Sequence, residues 1–343
     1  HPSVLLKPIL GSILPMNISS YSKTDGEKMS QQIAILLASY NGEQFIREQI
    51  DSILSQSCTN WHLYIRDDNS SDDTLLIEHE YESRYPQQIT VVDIPSVERG
   101  AKHNFWLLSQ YVLKETDAAY IMFCDQDDVW IQSKIEDTFS AMKSAEQKFQ
   151  DRRILVHTDL KVVDRNLKVL GNSFIKYRAL NPSYTEINRI VVQNNVTGCT
   201  TMLSRDLLGK AFELEDVGEI AMHDWWFSLV ASVFGHIVFV NKPTILYRQH
   251  GDNVVGATKV NSLSFILKRL SGNNHIKKTL HMAVDQAKVF LNTYQDIPLD
   301  DRSSLESFAK LYEYSKIQRI LTLSKGHYWK QGPIQIIGEY IFI

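Results

Sequence analysis

The 343-residue sequence lacks several features that would narrow its function at once. Its three cysteines, Cys58, Cys124 and Cys199, are far apart, odd in number and without a CxxC pair. This pattern argues against a structural zinc site and predicts buried free thiols in a reducing compartment. No run of about 18 apolar residues occurs, which excludes a membrane-spanning helix. The formal net charge of −4 shows no basic excess, so we expect no nucleic acid partner.

The remaining composition is that of a globular protein. Apolar residues make up 43% and charged residues 22%, which is enough for one large α/β domain with an appendage or for two modest domains. Residues 1–31 do not begin with Met and carry no clear signal-peptide pattern. We interpret them as an N-terminal extension, part of it added to the natural sequence.

Short apolar runs alternate with helix-length segments from Gln32 onward. The spacing predicts strands over 33–39, 61–66, 89–94 and 118–124, alternating with helices over 43–57, 72–85, 101–114 and 129–149. In the second half we expect strands over 154–163, 200–204, 236–240 and 245–249, with a helix over 222–234. Repeated strand–helix units predict an α/β fold with a mostly parallel, Rossmann-like sheet flanked by helices.

Polar side chains follow three of the predicted strands. The first strand ends in Ser39-Tyr-Asn-Gly42, the second in Asp67-Asp-Asn-Ser70 and the fourth in Asp125-Gln-Asp-Asp128. Ligands of such sheets bind outside the carboxyl ends of the strands, so these clusters are expected to converge on one site.

The run Asp125-Gln-Asp-Asp128 carries the strongest chemical signal. Three carboxylates in four residues repel one another and usually need a cation. Divalent ions such as Mg²⁺ bind carboxylate and phosphate oxygens together, so Asp127 is predicted to bind a metal and Asp125 to contact the donor or the metal. The alternative is an acidic turn in which Asp127 or Asp128 caps the next helix. The run from Arg66 to Thr74 has two interpretations as well: an Asp in it recognises a nucleobase, or the residues form Asx turns and cap the next helix.

Several segments together resemble one known family. They are Ala38-Ser-Tyr-Asn41, Ile50-x-x-Ile-Leu-x-Gln56, Asp67-Asp-Asn-Ser-Ser-Asp-Asp-Thr74 and Asp125-Gln-Asp-Asp-Val-Trp130. In this order they resemble family 2 of the glycosyltransferases, which has the GT-A fold. The form of the last segment, with Tyr247-Arg-Gln-His-Gly-Asp-Asn253, is similar to the bacterial rhamnosyltransferase-like branch. The resemblance covers about residues 32–255.

The resemblance implies a role for each matching position. It places Ala38, Tyr40 and Asp68 in the nucleoside pocket and Asn104 near the nucleotide, and it makes Asp125 and Asp127 the diphosphate and metal motif. It also implies that Asp224 is the general base and that His250 lies beside the metal and the diphosphate. A nitrogen ligand suits Mn²⁺ better than Mg²⁺, but the sequence leaves both ions open as the cofactor.

Asp224, in His223-Asp-Trp-Trp226, has a physical rationale of its own. An inverting transferase needs one carboxylate that accepts the proton of the attacking hydroxyl. Two adjacent tryptophans suit a sugar-binding face, but the same residues also fit a helix N-terminus with Asp224 as its cap and tryptophan in the core. Gly198, in a predicted loop, either permits close backbone approach to the site or belongs to an ordinary turn.

The organisation expected from these patterns has three parts. Residues 32–258 form the GT-A catalytic domain, with a nucleotide-binding half over 32–130 and an acceptor half over 131–258. Residues 259–343 form a C-terminal helical region with helices near 262–270, 276–294 and 303–323. Its last stretch mixes cations, aromatics and aliphatics, which suits either contact with anionic lipid or packing within the protein or against a second copy of the chain.

The predicted function is therefore an inverting, metal-dependent glycosyltransferase. The branch implies L-rhamnose from dTDP-L-rhamnose as the donor, and the acceptor is a hydroxyl of a cell-surface polysaccharide or a polyprenyl-linked glycan precursor. The alternatives are a hexosyltransferase that uses a UDP-sugar and an inactive nucleotide-sugar-binding subunit. We expect the protein in the cytoplasm, peripheral on the inner face of the plasma membrane. The sequence is compatible with either a monomer or a homo-oligomer.

Overall fold

The computed structural model describes residues 33–250 and 273–343. Nine strands form one sheet. They are β1 (Ile33–Ser39), β2 (Trp61–Asp67), β3 (Ile89–Val91), β4 (Tyr120–Asp125), β5 (Val129–Trp130), β6 (Ile154–Asp164), β7 (Val169–Gly171), β8 (Thr201–Ser204) and β9 (His236–Gln249).

The helices that follow or connect these strands cover much of the chain. The first eight are α1 (Ile46–Leu54), α2 (Thr74–Arg84), α3 (Ala101–Glu115), α4 (Lys134–Phe149), α5 (Phe174–Arg178), α6 (Ile187–Ile190), α7 (Arg205–Ala211) and α8 (His223–Phe234). Four more lie in the C-terminal part: α9 (Asn273–Thr293), α10 (Leu299–Ala309), α11 (Lys316–Gly326) and α12 (Pro333–Phe342). Short 3-10 turns occupy 198–200, 217–219 and 311–313.

The strand order is β3-β2-β1-β4-β8-β6-β9-β5, and β7 pairs with β6. The first four strands in this order are parallel, as are β6 and β9, whereas β8 runs antiparallel to both β4 and β6. The carboxyl ends of β1, β2 and β4 therefore lie side by side, because neighbouring parallel strands share their direction. Register confirms this, since Ala38 pairs with both Arg66 and Asp125.

Alternate residues of β1 pack on opposite faces of the sheet. Ile35 and Leu37 belong to the core cluster that contains Ile50 of α1, whereas Leu36 belongs to the cluster that contains Leu108 of α3. A strand buried on both faces reads as a continuous apolar run, as 33–39 does. This packing fixes the strand ends that carry the polar residues.

The predicted α/β fold with a mostly parallel sheet and flanking helices is confirmed. One helix prediction and one strand prediction were wrong in detail. Val129 and Trp130 do not begin the fourth helix but form β5, which pairs with Ile245 and Leu246. The two strands expected over 236–240 and 245–249 are one strand, β9, with register irregularities where it pairs with β6.

The C-terminal helices pack on the catalytic sheet through α8. Phe290 of α9 lies with its ring 5.3 Å from that of Trp226, and the ring of Tyr294 lies 4.9 Å from that of Phe234. The helix predicted over 303–323 is two helices, α10 and α11, because Ser315 caps a new start with Gln318 in a capping box. The helix predicted near 262–270 lies outside the described residues, and the proposed domain boundaries stay predictions.

Two further sequence predictions concern the whole chain. All three cysteines are free, and Cys124 and Cys199 are buried as expected, while Cys58 is half-buried. Across 33–250 and 273–343, the helices fall short of the combined length and apolar character that crossing a bilayer requires.

Candidate active site

The loop after β1 is tied to the loop after β4. The backbone N–H of Tyr40 donates to Gln126 Oε1 at 2.8 Å, and Gln126 Nε2 donates back to the Tyr40 carbonyl at 2.9 Å. A Cβ at Gly42 would lie 2.3 Å from Gln126 Oε1, so a larger residue there would displace the Gln126 amide. We use the name acidic loop for residues 125–128. Gln126 thus fixes the acidic loop against the β1 end, a role that no local sequence pattern indicates.

Asp68 and Asn104 are joined by a buried arginine. Arg66 Nη1 lies 3.3 Å from Asp68 Oδ1 and donates to Asn104 Oδ1 at 3.1 Å. Gly100 N–H donates to Asp68 Oδ2 at 2.7 Å, and Asn104 Nδ2 donates to the Arg66 carbonyl at 3.0 Å. The two predicted nucleoside residues therefore share one network at the ends of β1 and β2. Both Asp68 oxygens already accept bonds, so a nucleobase at Asp68 would have to share or replace one of them.

The other two predicted nucleoside residues lie on the β1 end itself. Ala38 is half-buried in the strand, and the Tyr40 side chain is 51% exposed. An exposed aromatic ring beside the Asp68 network offers a flat surface on which a base can stack. Both positions are compatible with the predicted pocket, and their roles stay predictions.

Asp127 and His250 come together across 123 residues of sequence. His250 Nε2 lies 2.7 Å from Asp127 Oδ2. The backbone around them is held by Arg248, whose N–H donates to Asp128 Oδ1 and whose Nε donates to the Asp127 carbonyl at 2.8 Å. Arg248 also pairs with Glu48 of α1. The arginine therefore fixes the acidic loop through both its backbone and its guanidinium.

The electrostatics of the acidic loop reflect crowding of negative charge. Burial and the nearby charges of Asp127 and Asp224 raise the pKa of Asp125 to about 7. Burial, with the charges of Asp127 and Asp125, raises the pKa of Asp128 well above its usual range. Such raised values are typical of carboxylates that share a site and await a cation. The charges of both Asp127 and Asp224 act on Asp125.

Asp224 is in the first turn of α8 and faces the same site. Its Oδ2 accepts the backbone N–H of Gly198 at 3.1 Å. Burial raises the pKa of Asp224 to about 6, although this hydrogen bond lowers it. A Cβ at Gly198 would lie 3.4 Å from Asp224 Cβ and 3.2 Å from His223 Nε2, so Gly198 does permit a close approach, here to the start of α8. The arrangement supplies a carboxylate of intermediate basicity whose charge acts on Asp125 of the acidic loop.

The donor set at Asp127 and His250 fits a divalent cation. A carboxylate oxygen and an imidazole nitrogen 2.7 Å apart are ligand types that Mn²⁺ accepts. Asp125 adds a further carboxylate whose raised pKa a cation would reverse. One donor atom each from Asp125, Asp128 and Cys199 also lie within 4.8 Å of one another, but Asp128 is buried and turned toward Arg248. We therefore favour Asp127 and His250 as the metal ligands.

The contacts of several other side chains show whether they have a structural role. Neither Asp127 nor Asp128 caps a helix, because α4 begins at Lys134 after Ser133. Trp226 is fully buried and donates its indole N–H to the Ala211 carbonyl, so it belongs to the core and not to a sugar-binding face. Trp225 donates to the Ile190 carbonyl at 2.6 Å. Lys102 donates to the carbonyls of Gly218 and Ile220, which is a structural role.

Comparison with known proteins identifies the family of the chain. The model of the family described as Glycosyl transferase family 2 matches residues 34–209. The dTDP-rhamnosyl transferase RfbG of Shigella flexneri is 30% identical over 233 residues, which are 64% of this chain and 74% of that protein. The UDP-Glc:alpha-D-GlcNAc-diphosphoundecaprenol beta-1,3-glucosyltransferase WfgD of Escherichia coli is 26% identical over 176 residues, 51% of this chain and 61% of that protein.

Solved structures show the same fold. The S. aureus TarS 1-349 structure has a TM-score of 0.51 and 15% identity, and the likeness covers 87% of this chain and 86% of that one. Its complex with UDP has a TM-score of 0.52, with 83% and 73% covered. The sheet and helices described above are thus those of a GT-A glycosyltransferase, and the chain belongs to glycosyl transferase family 2.

Proposed function

We propose that this glycosyltransferase is inverting and metal-dependent, and that it transfers L-rhamnose from dTDP-L-rhamnose to a hydroxyl of a glycan. The observation that carries the proposal is that Asp127 pairs with His250 while Asp224, held by the Gly198 N–H, is close enough for its charge to act on Asp125. This supports one basic carboxylate near a group of proposed cation ligands. The likeness to RfbG supports rhamnose as the sugar.

In the proposed reaction Asp224 acts as the general base. It accepts the proton of the acceptor hydroxyl while that oxygen forms a bond to the anomeric carbon and the bond from this carbon to the diphosphate breaks. A pKa of about 6 leaves Asp224 ionised at neutral pH and more basic than an ordinary aspartate. The Gly198 N–H donates to Oδ2 and thereby holds the carboxylate in place for proton transfer.

Asp127 and His250 would hold the divalent cation, Mn²⁺ or Mg²⁺. When bound, the cation supplies positive charge that stabilises the departing nucleoside diphosphate. Two hydrogen bonds keep the acidic loop in place. Arg248 of β9 donates to the Asp127 carbonyl, and Gln126 of the loop donates to the Tyr40 carbonyl after β1. Asp68, Asn104, Ala38 and Tyr40 would bind the nucleoside at the ends of β1 and β2.

A UDP-hexose is the second candidate donor. The likeness to the UDP-glucose-dependent WfgD favours it, and the residues at the β1 and β2 ends do not by themselves discriminate uracil from thymine. An inactive binding subunit is less well supported, since the chain retains Asp224 as the proposed base and Asp127 and His250 as the proposed cation ligands.

The experiment is to incubate the protein with a panel of nucleotide sugars and a polyprenyl-linked glycan acceptor, with Mn²⁺, Mg²⁺ or EDTA. We expect metal-dependent release of one nucleoside diphosphate, with dTDP-L-rhamnose giving the highest rate and a product of inverted anomeric configuration by NMR. Release from a UDP-hexose alone would replace rhamnose in the proposal. A product with retained configuration, or neither turnover nor binding with any donor, would contradict it.

We propose further that the C-terminal region contacts the inner face of the plasma membrane from the cytoplasm. Apolar side chains on α11 and α12 are exposed, with relative exposures of 50% for Leu321, 57% for Ile337 and 49% for Ile341. The two helices are neighbours, since Lys316 Nζ donates to the Ile341 carbonyl at 3.2 Å. Cations beside exposed aliphatic and aromatic groups suit anionic lipid headgroups. The same face would serve a homo-oligomer if it does not bind lipid.

Vesicle sedimentation tests this contact. We expect the protein to bind phosphatidylglycerol vesicles, and Ile337→Gln with Ile341→Gln to lower the bound fraction at least about threefold, because each buried methylene contributes about 0.8 kcal/mol. Leu299→Gln is the matched control, since Leu299 is 81% exposed on α10. An equal loss of vesicle binding in the Leu299→Gln control, or no vesicle binding by the wild type, argues against a lipid contact at this face. In that case a dimer by light scattering that the double variant abolishes would assign the face to a second copy.

A further inference from the structure

The loop that holds the proposed base ends at Gly198. We use the name base loop for residues 193–198. The N–H of Gly198 donates to Asp224 Oδ2 at 3.1 Å, and its carbonyl accepts the hydroxyl of Thr201 at 2.7 Å. Both polar groups of this peptide backbone are thus engaged. A shift of the base loop would therefore change the contact that holds the Asp224 carboxylate.

Asn195 anchors the middle of the base loop. Its side chain is buried, and its Nδ2 donates to the Asn181 carbonyl at 2.8 Å and to the Tyr184 carbonyl at 3.0 Å. These bonds resist movement of the loop, because breaking either of them inside the protein leaves a polar group without a partner. The position of the base loop therefore depends on the segment that carries Asn181.

The C-terminal region reaches the same segment through Gln331. This residue is buried and lies between α11 and α12. Its Oε1 accepts the Asn181 N–H at 2.5 Å, and its own backbone N–H donates to Gln193 Oε1 at 2.8 Å, at the start of the base loop. Asn181 thus bridges Gln331 and Asn195 with its N–H and its carbonyl. With the backbone from Gln193 to Asn195, these hydrogen bonds close a ring.

We propose that Gln331 positions Asp224 through this ring and the base loop, so that the C-terminal region contributes to the architecture of the catalytic centre. Gln331 is then a positioning residue, which acts through the loop and not on the substrate. The ring favours this role over simple docking of helices, because the two bonds of Gln331 end on the base loop itself and on the residue that anchors it. The inference rests on the proposed role of Asp224 as the base.

Gln331→Met tests the link, because it removes the acceptor of the Asn181 N–H and keeps the length of the side chain. We expect kcat for sugar transfer to fall about tenfold, since a small displacement of a catalytic group is costly. The KM for the donor should change by less than about twofold, because the predicted nucleoside residues lie at the ends of β1 and β2. The Gly198 hydrogen bond lowers the pKa of Asp224, so weakening it should move the acid limb of the pH profile to a higher pH.

Tyr294→Phe is the matched control. The hydroxyl of the buried Tyr294 donates to the Lys210 carbonyl at 3.0 Å, so it joins the same C-terminal region to α7 and not to the base loop. Each variant removes one hydrogen bond between the two parts of the chain, so both should lower the Tm. Only Gln331→Met should change kcat and the pH profile. If the two variants match in kcat and pH profile, Gln331 serves only to dock the helices and the proposal is overturned.

Amide hydrogen exchange gives a readout that does not depend on transfer. In Gln331→Met the amides of residues 195–198 should exchange faster than in the wild type and in Tyr294→Phe. If the wild type transfers no sugar from any donor, the proposed function fails, but this difference in exchange still supports the link and its absence overturns it. If Gln331→Met does not fold, Gln193→Met breaks the other bond of the ring from the loop side. Lowered kcat and faster exchange in that variant support the proposal, and wild-type values overturn it.

Discussion

Asp224→Asn is expected to lower the rate of sugar transfer by about 10²–10⁴-fold, the usual contribution of a general base. Asparagine keeps the size of the side chain and the oxygen that accepts the Gly198 N–H, but it cannot take a proton from the acceptor hydroxyl. Donor and Mn²⁺ binding should change by less than about threefold, because the uniform binding interactions are retained. Single-turnover transfer and donor titration measure the two effects separately.

The matched control for this variant is Asp206→Asn. Asp206 also lies in the first turn of a helix, α7, but its side chain is exposed and α7 begins where β8 ends, beside the start of β4 at the opposite edge of the sheet. The same chemical change there should leave transfer unaffected. If Asp224→Asn retained more than about a tenth of the activity, the base would have to be another group.

The pH dependence of the wild-type transfer rate is an independent test of Asp224 as the base. Only the ionised form of Asp224 accepts a proton, and its pKa is raised to about 6, so transfer should fall as the pH decreases through about 6. Asp125 is the other acid with a raised pKa beside it, and a bound cation would lower that value. The residual activity of Asp224→Asn should therefore lose the acid limb near pH 6. An unchanged limb in the variant would assign the titration to a different group.

The strands that carry the site were predictable because β1 and β4 contain continuous apolar runs and β2 is rich in aromatic and aliphatic residues. The run over 33–39 coincides with β1, and the polar residues that follow β1, β2 and β4 do meet at one edge. Parallel pairing makes this convergence a consequence of topology, so the sequence pattern alone could indicate it. The sequence also predicted roles for Asp127 and Asp224, and these roles stay predictions.

The contacts that fix those residues were not predictable in the same way. Val129 and Trp130 form a strand only because β9, more than a hundred residues later, offers them a partner. Arg248 binds Glu48 and the Asp127 carbonyl across two distant segments, and no local spacing indicates either bond. Pairings of high sequence separation leave no periodic signal, so they depend on the tertiary structure.

The surroundings of Trp226 also could not be predicted from the nearby sequence. Trp226 was weighed as part of a sugar-binding face, but its ring lies 5.3 Å from that of Phe290 in α9. The sequence near 226 cannot indicate this, because α9 begins at Asn273. Aromatic side chains beside a catalytic acid thus divide between core and site according to which helices pack behind them.

Asp127→Asn is expected to reduce transfer at a fixed Mn²⁺ concentration by on the order of 10²–10³-fold, because a catalytic cation contributes several kcal/mol to charge stabilisation. Asp127 Oδ2 lies 2.7 Å from His250 Nε2, and the neutral amide leaves the imidazole without its anionic neighbour. Excess Mn²⁺ should restore part of the activity, since the loss is one of affinity. EDTA should abolish the wild-type activity and add little to the defect of the variant.

Asp117→Asn is the control for this charge change, because exposed Asp117 precedes β4 at its opposite end. It should keep wild-type activity and Mn²⁺ affinity. His250→Ala should weaken Mn²⁺ binding as well, and combining it with Asp127→Asn should lower affinity by less than the sum of the two effects, because both residues act on one ion. Full additivity would mean that Asp127 and His250 serve separate sites. Wild-type Mn²⁺ affinity in both single variants would show that the cation binds elsewhere, and the pairing of Asp127 with His250 would then be only structural.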